Sequence, residues 1–243
     1  MKKTLIKIIK EYTNIEDEKV LFSLIKQGKI IVNGEKQFLP YAKFDENGLN
    51  IQILESKEYV SRGAYKLLGA IDKFNINFDN KVCLDIGSST GGFVQVMLIN
   101  NAKKVYAVDV GTNQLDYSLR INPKVTVYEK TNLKNLNSSF FLEDIDFVTC
   151  DVSFISIKNV FDVCSNFLKK GVLLMILIKP EFEAPYNLVQ KGGYVSEDEH
   201  PKIIDEIKEY AKNKNFKLLQ IDKSPIVGQK SKNVEYITLF ERE

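Results

Sequence analysis

From Val82 onward the apolar residues fall into short unbroken runs, at 82–86, 105–108, 125–128, 147–150 and 172–178, separated by stretches of mixed polarity. Strands that are continuously apolar, rather than alternating, are buried on both faces, which predicts a parallel sheet with helices packed on either side. A helical pattern at 201–214 and closing strands at 216–221 and 234–240 bring the expected sheet to seven strands of Rossmann-like α/β type. The first 55 residues follow another pattern. Apolar positions recur at three- and four-residue steps over 5–12 and 16–27, predicting two helices, the second ended by Gly28. A strand at 29–32, a tight turn at Asn33-Gly34, a second turn at Asn47-Gly48 and a strand at 49–54 follow. The expected organisation is therefore a small α+β domain at 1–58 and a seven-stranded domain at 59–243.

A chain of 243 residues can bury one full core and a smaller second one. Its longest apolar run is far shorter than the roughly 20 residues that span a bilayer. Met1-Lys2-Lys3 leads into an interrupted Leu/Ile pattern unlike a secretory signal, so a cytoplasmic protein without a membrane span is expected. The three cysteines, Cys83, Cys150 and Cys164, lie in apolar runs with no paired spacing, so they read as core residues and not as disulfides or zinc ligands. With a single histidine, His200, neither a histidine-based triad nor a multi-histidine metal site is expected. Chemistry must then rest on Lys, Asp, Glu or a cofactor. The net charge of +2 leaves any nucleic-acid binding to local patches.

The run 82–86 leads into Asp85-Ile86-Gly87-Ser88-Ser89-Thr90-Gly91-Gly92-Phe93, a strand, a glycine-rich turn and a helix start. Glycines there let the backbone turn sharply and a ligand approach closely. The spacing lacks the second glycine of a dinucleotide fingerprint, and Asp85 stands where a pyrophosphate would sit. A carboxylate suits a cationic sulfonium with an α-amino group. Further polar residues end successive strands: Asp109, able to take ribose hydroxyls; Thr131-Asn132, able to meet an adenine edge; and Asp151. The candidate cofactor contacts are thus Asp85, Gly87, Ser88, Gly91, Phe93, Asp109, Asn132 and Asp151.

Lys179 ends the most apolar strand and is the best candidate for a general base, a role a lysine fills only when its environment favours the neutral form. Lys66, in Ser61-Arg62-Gly63-Ala64-Tyr65-Lys66-Leu67, and Glu235, in Asn233-Val234-Glu235-Tyr236, complete a set of four charged residues with Asp151. These stretches, together with Lys179-Pro180-Glu181-Phe182-Glu183 and Lys191-Gly192-Gly193, resemble the FtsJ-like ribose 2′-O-methyltransferases, and specifically the haemolysin A (TlyA) family of rRNA cytidine 2′-O-methyltransferases. The resemblance implies S-adenosyl-L-methionine as cofactor, ribosomal RNA in ribosomal subunits as partner, and a catalytic tetrad of Lys66, Asp151, Lys179 and Glu235. In it Lys179 is the base, Asp151 supports it and helps place the donor, and Lys66 and Glu235 orient the ribose. Ser88-Ser89-Thr90 departs from the Ala-Pro loop common in the wider FtsJ group.

In the N-terminal segment, 24–34 followed by Pro40 resembles the second half of the alpha-L RNA-binding motif, although residues 1–58 contain no arginine. Three other readings stand beside the enzyme. A nicotinamide oxidoreductase lacks its fingerprint. A non-catalytic RNA-binding protein would not be expected to keep all four tetrad residue types. A cytolysin, suggested by the family's haemolysin label, would be expected to carry a secretion signal or a membrane-length apolar segment. No feature of the sequence sets an oligomeric state.

Overall fold

The computed structural model describes residues 2–13, 15, 17–26, 28–45, 48–54, 59–227 and 233–243. Its contacts form two compact units, residues 1–58 with 116–122, and residues 59–115 with 123–243.

In the first unit, β1 (Lys2–Thr4) leads into α1 (Leu5–Tyr12), followed by α2 (Glu18–Lys26), β2 (Ile30–Val32), β3 (Glu35–Gln37), β4 (Lys43–Asp45) and β5 (Ile51–Ile53). Leu5, Ile8 and Ile9 of α1 and Leu21 and Ile25 of α2 share one face at helical spacing. They bury against Ile30, Val32 and Ile51. Past α2, the Gly28 amide donates to the Ile25 carbonyl and the Lys29 amide to that of Leu24, at 2.9 and 3.0 Å, satisfying the last carbonyls of the helix. Asn33 and Gly34 both take positive φ, 52° and 86°. They form the two-residue hairpin turn expected there, which sets the register Val32↔Glu35. β5 pairs with the other edge of β2. The pairing of β1 with β4 was not foreseen, because three-residue strands carry no periodicity. The ends of the expected helix at 16 and 27, and Asn47 of the expected second turn, lie outside the described residues.

The second unit runs α3 (Ala64–Phe74), β6 (Val82–Ile86), α4 (Gly92–Ile99), β7 (Lys104–Val108), β8 (Val125–Tyr128), β9 (Phe147–Cys150), α6 (Lys158–Cys164), β10 (Leu173–Ile178), α7 (Pro180–Glu183), α8 (His200–Asn213), β11 (Phe216–Lys223) and β12 (Tyr236–Arg242), while α5 (Tyr117–Arg120) clusters with the first. The seven strands lie in the order β11-β12-β10-β9-β6-β7-β8. From β8 to β10 neighbours run parallel. β12 is antiparallel to both β10 and β11, a reversal that follows from its short connection to β11. Every residue of β6 and β9 is buried, as expected for strands covered on both faces. Truncating one such side chain, as in Ile176→Ala, is expected to cost about 2–5 kcal/mol. Cys83 of β6, Cys150 of β9 and Cys164 at the end of α6 are buried free thiols.

The chain order turns back between β6 and β9, which lie side by side, and this is where an open parallel sheet leaves a crevice beyond its strand ends. Asp85, Asp109, Asp151 and Lys179 all sit at or just past the carboxyl ends of their strands. No described helix is long and apolar enough to cross a membrane.

Candidate active site

Four side chains from separate parts of the second unit meet in a row at this crevice. Lys66, in the first turn of α3, places Nζ 2.6 Å from Glu235 Oε2 and 3.0 Å from Asp151 Oδ2. Asp151 Oδ1 lies 2.5 Å from Lys179 Nζ. Lys179 also donates to Ser153 Oγ at 3.0 Å. Lys66, Lys179 and Glu235 are each less than a tenth exposed. Burying single charges in this way costs several kcal/mol each, so alternation of sign is what makes the row tolerable.

The electrostatics follow from that alternation. Burial alone pushes Lys66 toward its neutral form, yet Asp151 and Glu235 together outweigh it and hold its pKa above the ordinary lysine value. Burial pushes Asp151 up, while Lys179 and Lys66 pull harder and keep it below the usual carboxylate range. Asp151 is therefore an anion placed between the two lysines. Glu235 was expected to begin the last strand and instead immediately precedes β12, its carboxylate committed to Lys66.

Next to this row lies the glycine turn. Gly87 has φ of 82°, and a Cβ there would stand 2.8 Å from the Asp151 carbonyl oxygen. Only glycine fits. Gly91, with φ of 95°, caps the start of α4 and lines neither cavity described below. Asp85 is buried: one carboxylate oxygen accepts from the Thr149 hydroxyl at 2.7 Å, and Oδ2 has no hydrogen-bond partner among the described residues. Burial first, and then the Asp151 and Asp109 charges, raise its pKa to about 7 against the partial relief given by Thr149.

Two cavities open here, both lined by Gly87, Ser89, Asp151 and Ser153. The first, about 310 Å³, holds Lys66, Asp85, Ser88, Phe93, Lys179 and Glu235. The second, about 620 Å³, holds Asp109, Thr131, Asn132 and Phe154. Asp109 is already engaged, since Oδ2 accepts from the Ser89 amide and Oδ1 from the Gly111 amide, each at 2.7 Å. Each of its oxygens keeps a further lone pair that a molecule in the cavity could meet. The Asn132 side-chain oxygen caps a short turn through the Lys134 amide at 3.0 Å, which leaves its NH₂ group, not its oxygen, for an adenine edge.

Several functional side chains escaped the sequence reading. Thr149 is an ordinary strand residue until the fold sets it against Asp85. Ser153 and Glu183 gain meaning only through partners 26 and 27 residues away. Phe154 carried one legible signal, an aromatic residue three positions past the polar Asp151. Its ring is 87% exposed, and its φ is +65°.

A reversed last strand on a parallel sheet, with a glycine turn facing strand-end carboxylates, defines a methyltransferase of Rossmann type. The sequence profile of FtsJ-like methyltransferases matches residues 59–242. Among curated proteins, hemolysin A of Brachyspira hyodysenteriae is 39% identical over 89% of this chain and 90% of its own. The 23S rRNA (cytidine-2′-O)-methyltransferase TlyA of Campylobacter jejuni is 37% identical over 93% of this chain and 94% of its own. A solved structure of a candidate hemolysin from Streptococcus thermophilus superposes with a TM-score of 0.74 at 34% identity, covering 99% of this chain and 88% of that one. The chain belongs to the FtsJ-like methyltransferases and, among them, to the hemolysin A (TlyA) family.

Proposed function

We propose that the protein transfers a methyl group from S-adenosylmethionine to a ribose 2′-hydroxyl of ribosomal RNA, on a cytidine. The observation that carries this reading is the contact row Glu235–Lys66–Asp151–Lys179, set beside a glycine turn that admits a ligand. The residues fit the donor. Asp85 Oδ2 is a buried acceptor without a partner among the described residues, suited to an α-amino group. Gly87 leaves room that a Cβ would fill. Asp109, Thr131 and Asn132 line a second cavity suited to the adenosyl part. When bound, the donor supplies a methyl group on a sulfonium.

With the donor bound, Lys179 Nζ, in its neutral form, would take the proton of the 2′-hydroxyl as that oxygen bonds the methyl carbon and the methyl–sulfur bond breaks, the thioether leaving with the rest of the donor. General-base assistance of this kind is worth about 10²–10⁴ in rate. Asp151 and Ser153 fix the direction of Nζ. Lys66, held by Glu235 and Asp151, presents a second cation to the ribose. Phe154 offers a bare ring at the cavity mouth on which an unstacked base can rest, the usual mode of sequence-selective RNA recognition.

The N-terminal unit is read as an RNA-docking module, with its lysines and the exposed Phe38, Leu39 and Tyr41 as contacts in place of arginine. Ribosomal subunits are the partner and the cytoplasm is where they are met. The testing experiment is transfer of labelled methyl from S-adenosylmethionine to unmodified ribosomal subunits, with the modified nucleoside mapped. Label on a cytidine ribose supports the reading, and no transfer to either subunit despite donor binding overturns it.

A further inference from the structure

The loop that follows Asp151 and the turn that follows Lys179 are fastened to each other at three points. Lys179 Nζ donates to Ser153 Oγ at 3.0 Å. The Phe154 and Phe182 ring centroids lie 5.1 Å apart. The Glu183 carboxylate accepts from the Ser156 hydroxyl at 2.6 Å and from the Ile157 amide at 2.8 Å.

The last of these contacts is the polar one that involves neither Lys179 nor Phe154. Phe154 sits in left-handed backbone conformation, costly for a bulky side chain, and its ring is 87% exposed, so its own burial does not hold it there. Something outside residues 152–155 must hold the loop. Glu183 lies four residues past Lys179, and its two oxygens meet one donor each at Ser156 and Ile157, directly beyond Phe154. We propose that Glu183 is a positioning residue for methyl transfer: its carboxylate clamps the loop after Asp151 to the turn after Lys179, setting both the Asp151–Lys179 spacing and the presentation of Phe154. This rests on the reading of Asp151 and Lys179 as reacting groups. A carboxylate is required because both partners are donors, and a glutamine offers a single acceptor oxygen.

A role limited to capping α6 through Ile157 would affect stability alone, so the test separates the two. Hydrogen–deuterium exchange of peptides covering 152–158 is compared in the intact protein, Glu183→Gln and Ser156→Ala, followed by single-turnover transfer to ribosomal subunits at saturating donor and calorimetric donor affinity. Glu183→Gln is expected to speed exchange in this loop and to slow transfer about tenfold, the scale of a lost hydrogen bond to a charged group, with donor Kd unchanged. Ser156→Ala is expected to act in the same direction by a smaller factor, and it serves if Glu183→Gln fails to fold. Wild-type transfer rates in a folded variant with a loosened loop, or unchanged exchange in both variants, would overturn the proposal. If the intact protein transfers no methyl group to either subunit, the functional reading falls, while the exchange data still decide whether Glu183 holds the loop.

Discussion

On one side of Asp151 the cavity wall is made of opposite charges in direct contact; on the other it is mostly apolar, with single polar groups already engaged by backbone amides. Lys66, Lys179 and Glu235 belong to the first: the two lysines meet at Asp151, and Glu235 pairs with Lys66 directly. Asp109 and Asn132 belong to the second, the one held by the Ser89 and Gly111 amides and the other by the Lys134 amide. The charged side is arranged around a proton and a transferred group, whereas the second is arranged to hold a shape. Substitutions on the first side should therefore change the rate of transfer, and those on the second should change donor affinity.

The largest expected effect is that of Lys179→Ala, which should lower single-turnover methyl transfer by about 10²–10⁴ with donor affinity kept, as read by calorimetry. A matching loss of donor binding would erase the distinction between the two sides. Asp109→Ala should do the reverse, weakening donor binding by about 10–100-fold, the scale of hydrogen bonds to a charged group, while transfer at saturating donor stays near normal. Phe154→Ala sits at the junction. It should raise the KM for ribosomal subunits roughly 5- to 100-fold, the value of one base stacked on an aromatic ring, with donor Kd unmoved.

The smallest and sharpest effect concerns Asp85. Its folded pKa of about 7 lies above its ordinary value of 3.8, so its contribution to stability is fully present at low pH and is lost as pH rises through about 7. The ligand-free protein should therefore lose part of its stability between about pH 4 and 7, and Asp85→Asn should flatten that slope in denaturant titrations at several pH values. Donor affinity should run the other way, rising over the same range as the carboxylate ionises against the donor's ammonium group. A wild-type affinity that ignores pH would break the pairing of Asp85 with that group.

The haemolysin label makes a separate contrast. A protein built as above should leave lipid vesicles intact under conditions in which it methylates RNA.

Much of the sheet could be read along the chain. The five parallel strands were visible as short, mainly apolar runs because burial on both faces of the central ones leaves little room for polar alternation, and β6, β9 and the half-buried edge strand β8 fall at the positions expected. The edge strand β11 runs two residues past its expected end, since its outer face meets water and its apolar pattern fades. For the candidate site, Asp151 and Lys179 could be read as charges at the ends of apolar strands, while Lys66 and Glu235, ordinary flanking charges taken alone, were singled out by the family resemblance. Thr149, Ser153 and Glu183 do not, because a short polar residue in a strand or loop is ordinary until its partner is known.

Sequence by itself determined the composition of each layer, the glycine turn and the residue types available for chemistry, since these depend on local periodicity and on what a backbone without a Cβ can do. Tertiary structure decided which charges neutralise which. Asp151 can be an anion shared by two lysines only because β9, β10 and α3 bring groups 85 and 28 residues apart to within 3.0 Å of one carboxylate. Interactions of that kind fall off with distance in space, and spacing along the chain does not encode that distance.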